Sequence, residues 1–91
     1  MGTKPVVQVE RIHKLTTDGA TKAFCDICLL DTFIVKGLRV VQGKEGLFLS
    51  MPREQGRDGK WYETFFPKEK NIRKELEQIV LESYSEKAAE N

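Results

Sequence analysis

Apolar and polar residues alternate along most of the first two thirds of the chain. A period of two residues is typical of strands that bury one face of a sheet. The pattern predicts five strands, over residues 6–15, 21–30, 33–41, 46–51 and 61–66. Because short turns connect them, each strand can pair with the next as a hairpin, and we expect an antiparallel meander.

Three of these strands divide clearly into two faces. Alternate residues that share one face are Val7, Val9, Arg11, His13 and Leu15 on the first strand, Ala23, Cys25, Ile27 and Leu29 on the second, and Leu47, Leu49 and Met51 on the fourth. On the second and fourth strands this face is apolar, so we expect it to be half-buried or buried.

Glycine and proline mark the connections. Asp18-Gly19 and Asp58-Gly59 suit turns with positive φ, and Gly37 predicts a bulge in the third strand. Residues 42–46 are predicted to form a loop. Pro52 ends the fourth strand because proline has no N–H to donate to a neighbour. The segment that follows it is predicted to be a flexible, solvated hairpin tip.

From about Asn71 the spacing of apolar residues becomes helical. The residues at positions i, i+4, i+7, i+8 and i+12 are Ile72, Leu76, Ile79, Val80 and Tyr84. They share one helical face, which we expect to pack across the sheet. Asn71 is the predicted N-cap, and Lys74 and Glu77 are predicted on the opposite, solvated side.

These elements predict an α+β fold, a small antiparallel β-sheet of about five strands with a C-terminal α-helix packed on it. The chain, 1–91, is predicted to be a single domain with a core over 6–85 and a frayed acidic tail over 86–91. A small core and unpaired strand edges favour a homodimer formed by strand-edge pairing.

Charge is unevenly distributed. Residues 1–74 hold 14 Lys/Arg and 9 Asp/Glu, whereas residues 75–91 hold one Lys and five Glu. The excess of positive charge in residues 1–74 favours a polyanionic partner. The alternative is a solvated surface on which charges of the two signs happen to be segregated. No apolar run is long enough to cross a bilayer, and residues 1–5 lack a signal-peptide pattern. We expect a cytoplasmic protein, associated with the nucleoid or free of it, and no membrane partner.

Few residues suggest chemistry. Cys25 and Cys28 match C-x-x-C, but residues three apart on a strand point to opposite faces, so we expect no metal site and no disulfide there. His13 is the only histidine, and no nucleophile has a base beside it in a known motif. We therefore predict no enzyme, no catalytic residue, no cofactor and no small-molecule substrate.

Four aromatic residues follow the hairpin loop, Trp61, Tyr62, Phe65 and Phe66. On strands, half of them are expected in the core. The other interpretation is that they are platforms on which bases stack.

Residues 33–52 (FIVKGLRVVQGKEGLFLSMP) resemble the signature of the SpoVG family, the stage V sporulation protein G or septation-regulator family of bacteria. That signature has the pattern F-V-x-x-[IL]-R-V-x-x-G-x-x-G-L-F-[VL]-x-M-P. A basic loop, an Asp-Gly turn, a proline and a helix-start arginine follow it. Here these are Arg53 and Arg57, Asp58-Gly59, Pro67 and Arg73.

The resemblance covers about residues 6–85. It implies a small sheet with a C-terminal helix, dimerisation by strand pairing and sequence-selective binding of DNA, with RNA binding also described for the family. Its regulatory context is gene regulation, septation and sporulation. The chain departs from the pattern at Lys36-Gly37, where members usually carry His-Asp, and at 63–67, where they carry a D-I-x-H-P type run. These changes lie on predicted strands, so they concern the expected regulatory role and not the expected fold.

The residue pattern and the family resemblance both predict one basic surface that binds nucleic acid. Its residues are Arg53, Arg57, Lys60, Arg73 and Lys74. Phosphate contacts would supply most of the affinity, a helix N-terminus would add partial positive charge, and one or two arginines would read guanine edges. The alternative is a protein-interaction module in cell-division control that binds no nucleic acid.

Overall fold

A computed structural model describes residues 6–16 and 18–89, with side chains as far as Glu86. These residues form six strands and one helix, which are β1 (Val7–Lys14), β2 (Thr21–Leu29), β3 (Phe33–Gly43), β4 (Gly46–Ser50), β5 (Arg53–Gln55), β6 (Trp61–Glu63) and α1 (Lys70–Ala89). The predicted α+β class is confirmed. The described helix is not long and apolar enough to cross a membrane.

The four longer strands form one antiparallel sheet in the order β1-β2-β3-β4. This confirms the meander for those strands, but the predicted fifth strand does not join them. Its paired part, β6, forms a separate two-stranded sheet with β5. The chain leaves the main sheet at Pro52, which has no N–H to donate. The Pro52 carbonyl instead accepts a hydrogen bond from the Thr64 N–H, at 2.9 Å.

Two tight turns connect β2, β3 and β4. The Thr32 N–H donates to the Leu29 carbonyl at 2.9 Å, and both Leu30 and Asp31 between them have positive φ. This combination defines a type I′ turn, in which leucine is unusual. The predicted loop over 42–46 is shorter than expected, because the paired strands extend to Gly43 and Gly46 and leave only two residues between them.

Three register shifts interrupt the sheet: one lies between Thr21 and Ala23 of β2, and the other two set the faces of the sheet. In β3, Lys36 and Gly37 interrupt the register, and Gly37 has a φ of +95°, which confirms the predicted bulge. In β1 the register shifts between Val9 and Arg11. A one-residue shift moves every following side chain to the other face. The predicted division of the first strand is therefore wrong beyond Val9, and Ile12 is buried instead of Arg11 and His13.

The core lies between α1 and one face of the main sheet, which we call the covered face. Its buried side chains are Ile12, Ala23, Cys25, Ile27, Leu38, Val40, Leu49, Met51, Leu76 and Val80. The predicted apolar face of the second strand is confirmed. On the fourth strand the prediction holds for Leu49 and Met51 and fails for Leu47, which is exposed at the sheet edge.

Both ends of α1 differ from prediction. The helix begins at Lys70, and the Arg73 N–H donates to the Glu69 carbonyl at 3.1 Å. Glu69 therefore occupies the capping position and Asn71 lies in the first turn, so the predicted N-cap is wrong. At the other end the helix continues to Ala89, beyond residue 85, where the predicted core stops.

The helix is also rotated relative to the predicted face. Leu76 and Val80 are fully buried and Tyr84 is half-buried, but Ile72 and Ile79 are 41% and 36% exposed. Each of these isoleucines precedes an inward residue by one position, which is about 100° around a helix. The inward face is thus centred near Arg73, Val80 and Tyr84, so that polar side chains also face the sheet.

Candidate nucleic-acid interface

The β5–β6 hairpin carries three of the five predicted cations. Arg53 lies on β5, opposite Glu63, whereas Arg57 and Lys60 lie in the connection. The Gly56 N–H donates to the Lys60 carbonyl at 2.8 Å, and the Gly59 N–H donates back to the Gly56 carbonyl at 3.0 Å. The tip is therefore closed by internal hydrogen bonds, and it holds two exposed cations, Arg57 and Lys60.

Asp58 and Tyr62 brace this tip. The Tyr62 hydroxyl donates to Asp58 Oδ2 at 2.5 Å, and the Lys60 N–H donates to Asp58 Oδ1 at 3.0 Å. The hydrogen bond from Tyr62, followed by that from the Lys60 backbone, lowers the pKa of Asp58. The hydrogen bond to Asp58 in turn raises the pKa of Tyr62. A Cβ at Gly56 would lie only 2.8 Å from the Tyr62 ring, so the ring can approach the turn this closely because residue 56 is glycine.

Arg53 lies over an aromatic ring. Its guanidinium carbon is 5.7 Å from the centroid of the Trp61 ring, within the range of a cation–π contact. Trp61 itself is exposed, as are Tyr62 and Phe66, and only Phe65 packs against the core. Three of the four aromatic residues thus lie outside the core, whereas we expected half of the four to lie inside it.

Arg73 forms a bidentate ion pair with Glu63. Its Nη1 donates to Oε1 at 3.1 Å and its Nη2 to Oε2 at 2.6 Å, with both side chains partly exposed (42% and 31%). The hydrogen bonds from Arg73 lower the pKa of Glu63, and those to Glu63 raise the pKa of Arg73. The pair ties α1 to β6, so Arg73 has a structural partner that its sequence position did not reveal.

Glu77 also faces the sheet, contrary to the prediction. Its Oε2 accepts a hydrogen bond from the Leu49 N–H of the edge strand β4, at 3.1 Å. Lys74 remains on the exposed side as predicted. With Lys70, Arg73 and Glu77 it lines a shallow depression of about 300 Å³ at the helix start.

The structure brings some of the predicted cations together. Arg53 and Arg73 both act on the Glu63 carboxylate and lower its pKa, Arg73 more strongly. Arg57 and Lys60 lie at the hairpin tip, and Lys74 lies on the helix. The predicted single surface thus resolves into a hairpin tip and a helix start that the Arg73–Glu63 pair joins.

The face of the main sheet opposite α1, which we call the open face, holds residues that the sequence reasoning missed. His13, Phe24, Arg39 and Ser50 lie in register across β1 to β4. The Arg39 guanidinium carbon is 6.0 Å from the centroid of the Phe24 ring. The sequence signal that could have identified Phe24 is the alternation of β2, which places this aromatic residue on the face away from the core.

An apolar groove lies between β1 and the start of α1. Its volume is about 460 Å³ and its lining is apolar apart from Glu75. The lining residues are Val6, Val7, Leu29, Phe65, Phe66, Pro67, Ile72, Glu75, Leu76 and Ile79. Among these side chains Val6, Phe66, Ile72 and Ile79 are exposed.

The two cysteines both lie on β2, as predicted, and both are free. Cys25 is in the core, where burial, followed by the charge of Asp26, raises its pKa to about 11. A thiol of this kind is unreactive at neutral pH. The described residues contain no group of three or more side chains that could hold a metal ion. That the protein binds no zinc remains a prediction, which elemental analysis of the purified protein would check.

The chain is similar in sequence to proteins that share one family name. The family profile of SpoVG matches residues 5–86. The chain is 37% identical to “Putative septation protein SpoVG” of Archaeoglobus fulgidus over 76 residues, which cover 84% of this chain and 89% of the relative. Proteins of the same name from Staphylococcus carnosus and Staphylococcus aureus are 38% and 36% identical over 84% of this chain and cover 71% and 76% of the relatives.

Proposed function

The chain belongs to the SpoVG family, and on that premise we propose that it is a dimeric regulatory protein that binds nucleic acid. DNA is the proposed ligand, with RNA as the alternative. The observation that carries the proposal is the β5–β6 hairpin, where Arg57 and Lys60 are exposed beside an exposed indole. Cations supply phosphate contacts, and an exposed ring offers a face for stacking.

The relatives carry the name of septation proteins, and we extend a septation or sporulation role to this chain. In this proposal the protein acts in the cytoplasm, on or near the nucleoid, and changes gene expression through the nucleic acid that it binds. No catalytic step is part of the proposal.

The five predicted cations divide into two groups in this mechanism. Arg57, Lys60 and Lys74 are exposed and would contact phosphates directly. Arg53 and Arg73 share Glu63, and so they would position the hairpin against the helix start. Arg53 also lies over Trp61 and can reach a phosphate next to a base stacked on that ring.

Binding of mixed bacterial DNA fragments in gel-shift titrations over a salt series tests this assignment. Removing two phosphate contacts in Arg57→Ala/Lys60→Ala should weaken binding and make the salt slope shallower by about one unit per cation. The matched control is Glu82→Gln, which changes charge on an exposed part of α1 away from the hairpin. A folded double variant with full affinity and an unchanged slope would place the phosphate contacts elsewhere.

The proposed dimer uses the edge of β1. Both β1 and β4 are edge strands of the main sheet. On β4 the Leu49 N–H already has the Glu77 carboxylate as its partner, whereas the apolar groove lies beside β1. Pairing two β1 strands would bring both grooves to one interface and would remove an edge that favours aggregation.

Sedimentation at concentrations of about tens of micromolar tests the dimer. Ile79→Glu places a charge on the groove and should shift the protein toward the monomer. Gln78→Glu adds the same charge at the neighbouring exposed position and should leave the dimer intact. A wild-type monomer at these concentrations would contradict the proposal.

The groove also favours a second candidate function, a protein-interaction module in cell-division control. The exposed Phe66, Ile72 and Ile79 would then bind an apolar segment of another protein. Nucleic-acid binding distinguishes the two functions. A wild-type protein that binds neither DNA nor RNA at low salt would leave the interaction module as the remaining candidate.

A further inference from the structure

Two phenylalanines on the open face stand out from a surface that is otherwise polar or aliphatic. Phe24 and Phe48 are each 42% exposed, although they lie on well-paired strands of the main sheet. Their neighbours in sequence, Ala23, Cys25 and Leu49, are buried on the covered face. Both rings therefore point away from the core and contribute little to it.

Each ring has a cation close to it in the fold. The Arg39 guanidinium is 6.0 Å from the Phe24 ring centroid. Phe48 shares a small depression at the β3–β4 turn with Lys44 and with one carboxylate, Glu45. A Cβ at Gly43 would lie 3.0 Å from Phe48 Cε1, so the Phe48 ring approaches the strand closely where residue 43 is glycine. An exposed aromatic ring held on a sheet near a cation can serve as a platform for a base and its phosphate.

The spacing of the two rings decides which form of nucleic acid fits. Phe24 is paired with Arg39 on one side of β3, and Phe48 is paired with Val41 on the other. Two strand spacings and a step of two residues separate their Cα atoms by about 12 Å. Neighbouring bases in a B-form strand are stacked about 3.4 Å apart, and their faces are not free. The rings suit bases of an unpaired, extended strand.

Positive charge continues from Phe24 toward the hairpin. A depression of about 380 Å³ is lined by Phe24, Arg39, Lys36 and Arg53, with Glu54 as its one carboxylate. Three cations against one anion make this depression complementary to a phosphate backbone. It also joins the open face to the Arg53–Trp61 pair on β5 and β6.

From these contacts we infer that the open face binds single-stranded nucleic acid, with one base stacked on Phe24, another on Phe48, and phosphates held by Arg39, Lys36 and Arg53. The inference rests on the proposed function and deepens it. The hairpin tip supplies contacts to any nucleic acid, and the open face selects unpaired strands.

Fluorescence anisotropy with labelled oligo(dT), oligo(U) and a blunt DNA duplex tests this division. Phe24→Leu and Phe48→Leu keep apolar bulk but remove the ring. Each should weaken single-strand binding roughly 5- to 100-fold, and duplex binding should be unchanged. Phe33→Leu is the matched control, because Phe33 is an exposed aromatic residue that pairs with Leu29 on the covered side of the sheet and lies outside the apolar groove. The ratio between oligo(dT) and oligo(U) shows whether DNA or RNA is preferred.

The outcomes separate this inference from the proposed function. Duplex and single-strand binding that both persist in Phe24→Leu/Phe48→Leu would overturn the open-face site and leave the proposed function standing. Wild-type protein that binds none of the three probes would overturn both. Loss of single-strand binding alone, in variants with wild-type melting temperatures, supports the open-face site.

A second measurement needs no variant. Oligonucleotides that carry 5-iodouracil form photochemical crosslinks to aromatic side chains next to the base, and mass spectrometry identifies the peptide. Crosslinks to Phe24 or Phe48 are expected with the wild-type protein. Crosslinks confined to Trp61 or Tyr62, or no crosslink at saturating oligonucleotide, would overturn the stacking arrangement.

Discussion

The two faces of the main sheet are built from the same four strands and differ in almost every other respect. The covered face is apolar, and Ala23, Ile27, Leu38 and Val40 are fully buried on it. The open face presents Phe24, Arg39 and Phe48 to solvent. Adjacent residues along one strand thus lie on opposite faces, one buried in the core and the other exposed on the face that we propose for binding. A substitution on one face should change one property, stability or binding, and leave the other nearly intact.

The bulges maintain this separation. Because side chains alternate, a single extra residue exchanges the faces of everything that follows. In β3 the bulge at Lys36-Gly37 sets Leu38 and Val40 on the covered face and Arg39 on the open face. In β1 the register shift after Val9 places Ile12 in the core and leaves Arg11 and His13 exposed.

The largest expected effect is on the covered side, at Leu76. This residue is 3% exposed and packs in the core cluster, so Leu76→Ala should lower the free energy of unfolding by about 2–5 kcal/mol. Urea denaturation measures the change. Ile72→Ala is the matched control one turn earlier on α1, where the side chain is 41% exposed, and it should cost much less. Equal losses at the two positions would show that the helix packs through the face predicted from the sequence.

A smaller effect is expected at the bulge that divides the faces. Gly37 has a φ of +95°, and an added Cβ would meet Pro52 only at an ordinary 3.6 Å. The cost of Gly37→Ala is therefore backbone strain of about 1–2 kcal/mol, without a steric clash. Thermal unfolding provides the measurement. Lys36→Ala, at the other bulge residue, should change stability little, and a neutral Gly37→Ala would mean that this conformation is not required.

The Arg73–Glu63 pair joins α1 to β6. Both side chains are partly exposed, so solvent screens the pair, and Arg73→Ala should cost roughly 0.2–1 kcal/mol. The hydrogen bonds from Arg73 hold the pKa of Glu63 below its usual 4.5 in the folded protein. Its contribution is therefore fully present above that pKa and is lost as the pH falls through the lower folded value.

Urea denaturation of the wild type and Arg73→Ala between about pH 3 and 7 measures this dependence. The stability difference should be constant near neutral pH and should shrink in acid. Lys74→Ala, at the adjacent exposed position, should show no such dependence. A difference that grows in acid would contradict the assigned pair.

These contacts explain where sequence reasoning succeeded. The fold class, the apolar face of β2, the bulge at Gly37 and the end of β4 before Pro52 follow from alternation and from local backbone chemistry. The faces of β1 could not be predicted, because no glycine or proline marks the register shift after Val9. The rotated helix places Arg73 against Glu63 and Glu77 against the Leu49 N–H, and these contacts join residues 10 and 28 positions apart in the chain, which no local pattern shows.

The candidate site was predicted in part for a similar reason. Arg57 and Lys60 are exposed because Asp58-Gly59 makes a turn, which is a local property that the sequence shows. The partnership of Arg53 and Arg73 through Glu63 depends on how β5, β6 and α1 meet. Phe24 and Arg39 become neighbours only through the register of β2 and β3. Isoleucines at helical spacing predicted a core, although Ile72 and Ile79 line an exposed groove.

The smallest stability effect is expected on the open face, at Phe24. Because its ring is 42% exposed and points away from the core, Phe24→Leu should change the free energy of unfolding by no more than about 0.5 kcal/mol. Ile27→Ala, on the same strand but on the covered face and fully buried, should cost about 2–5 kcal/mol. Urea denaturation of the two variants side by side compares the faces directly. A large loss in Phe24→Leu would show that the ring stabilises the fold, and the division of the sheet into a structural and a recognition face would then be wrong.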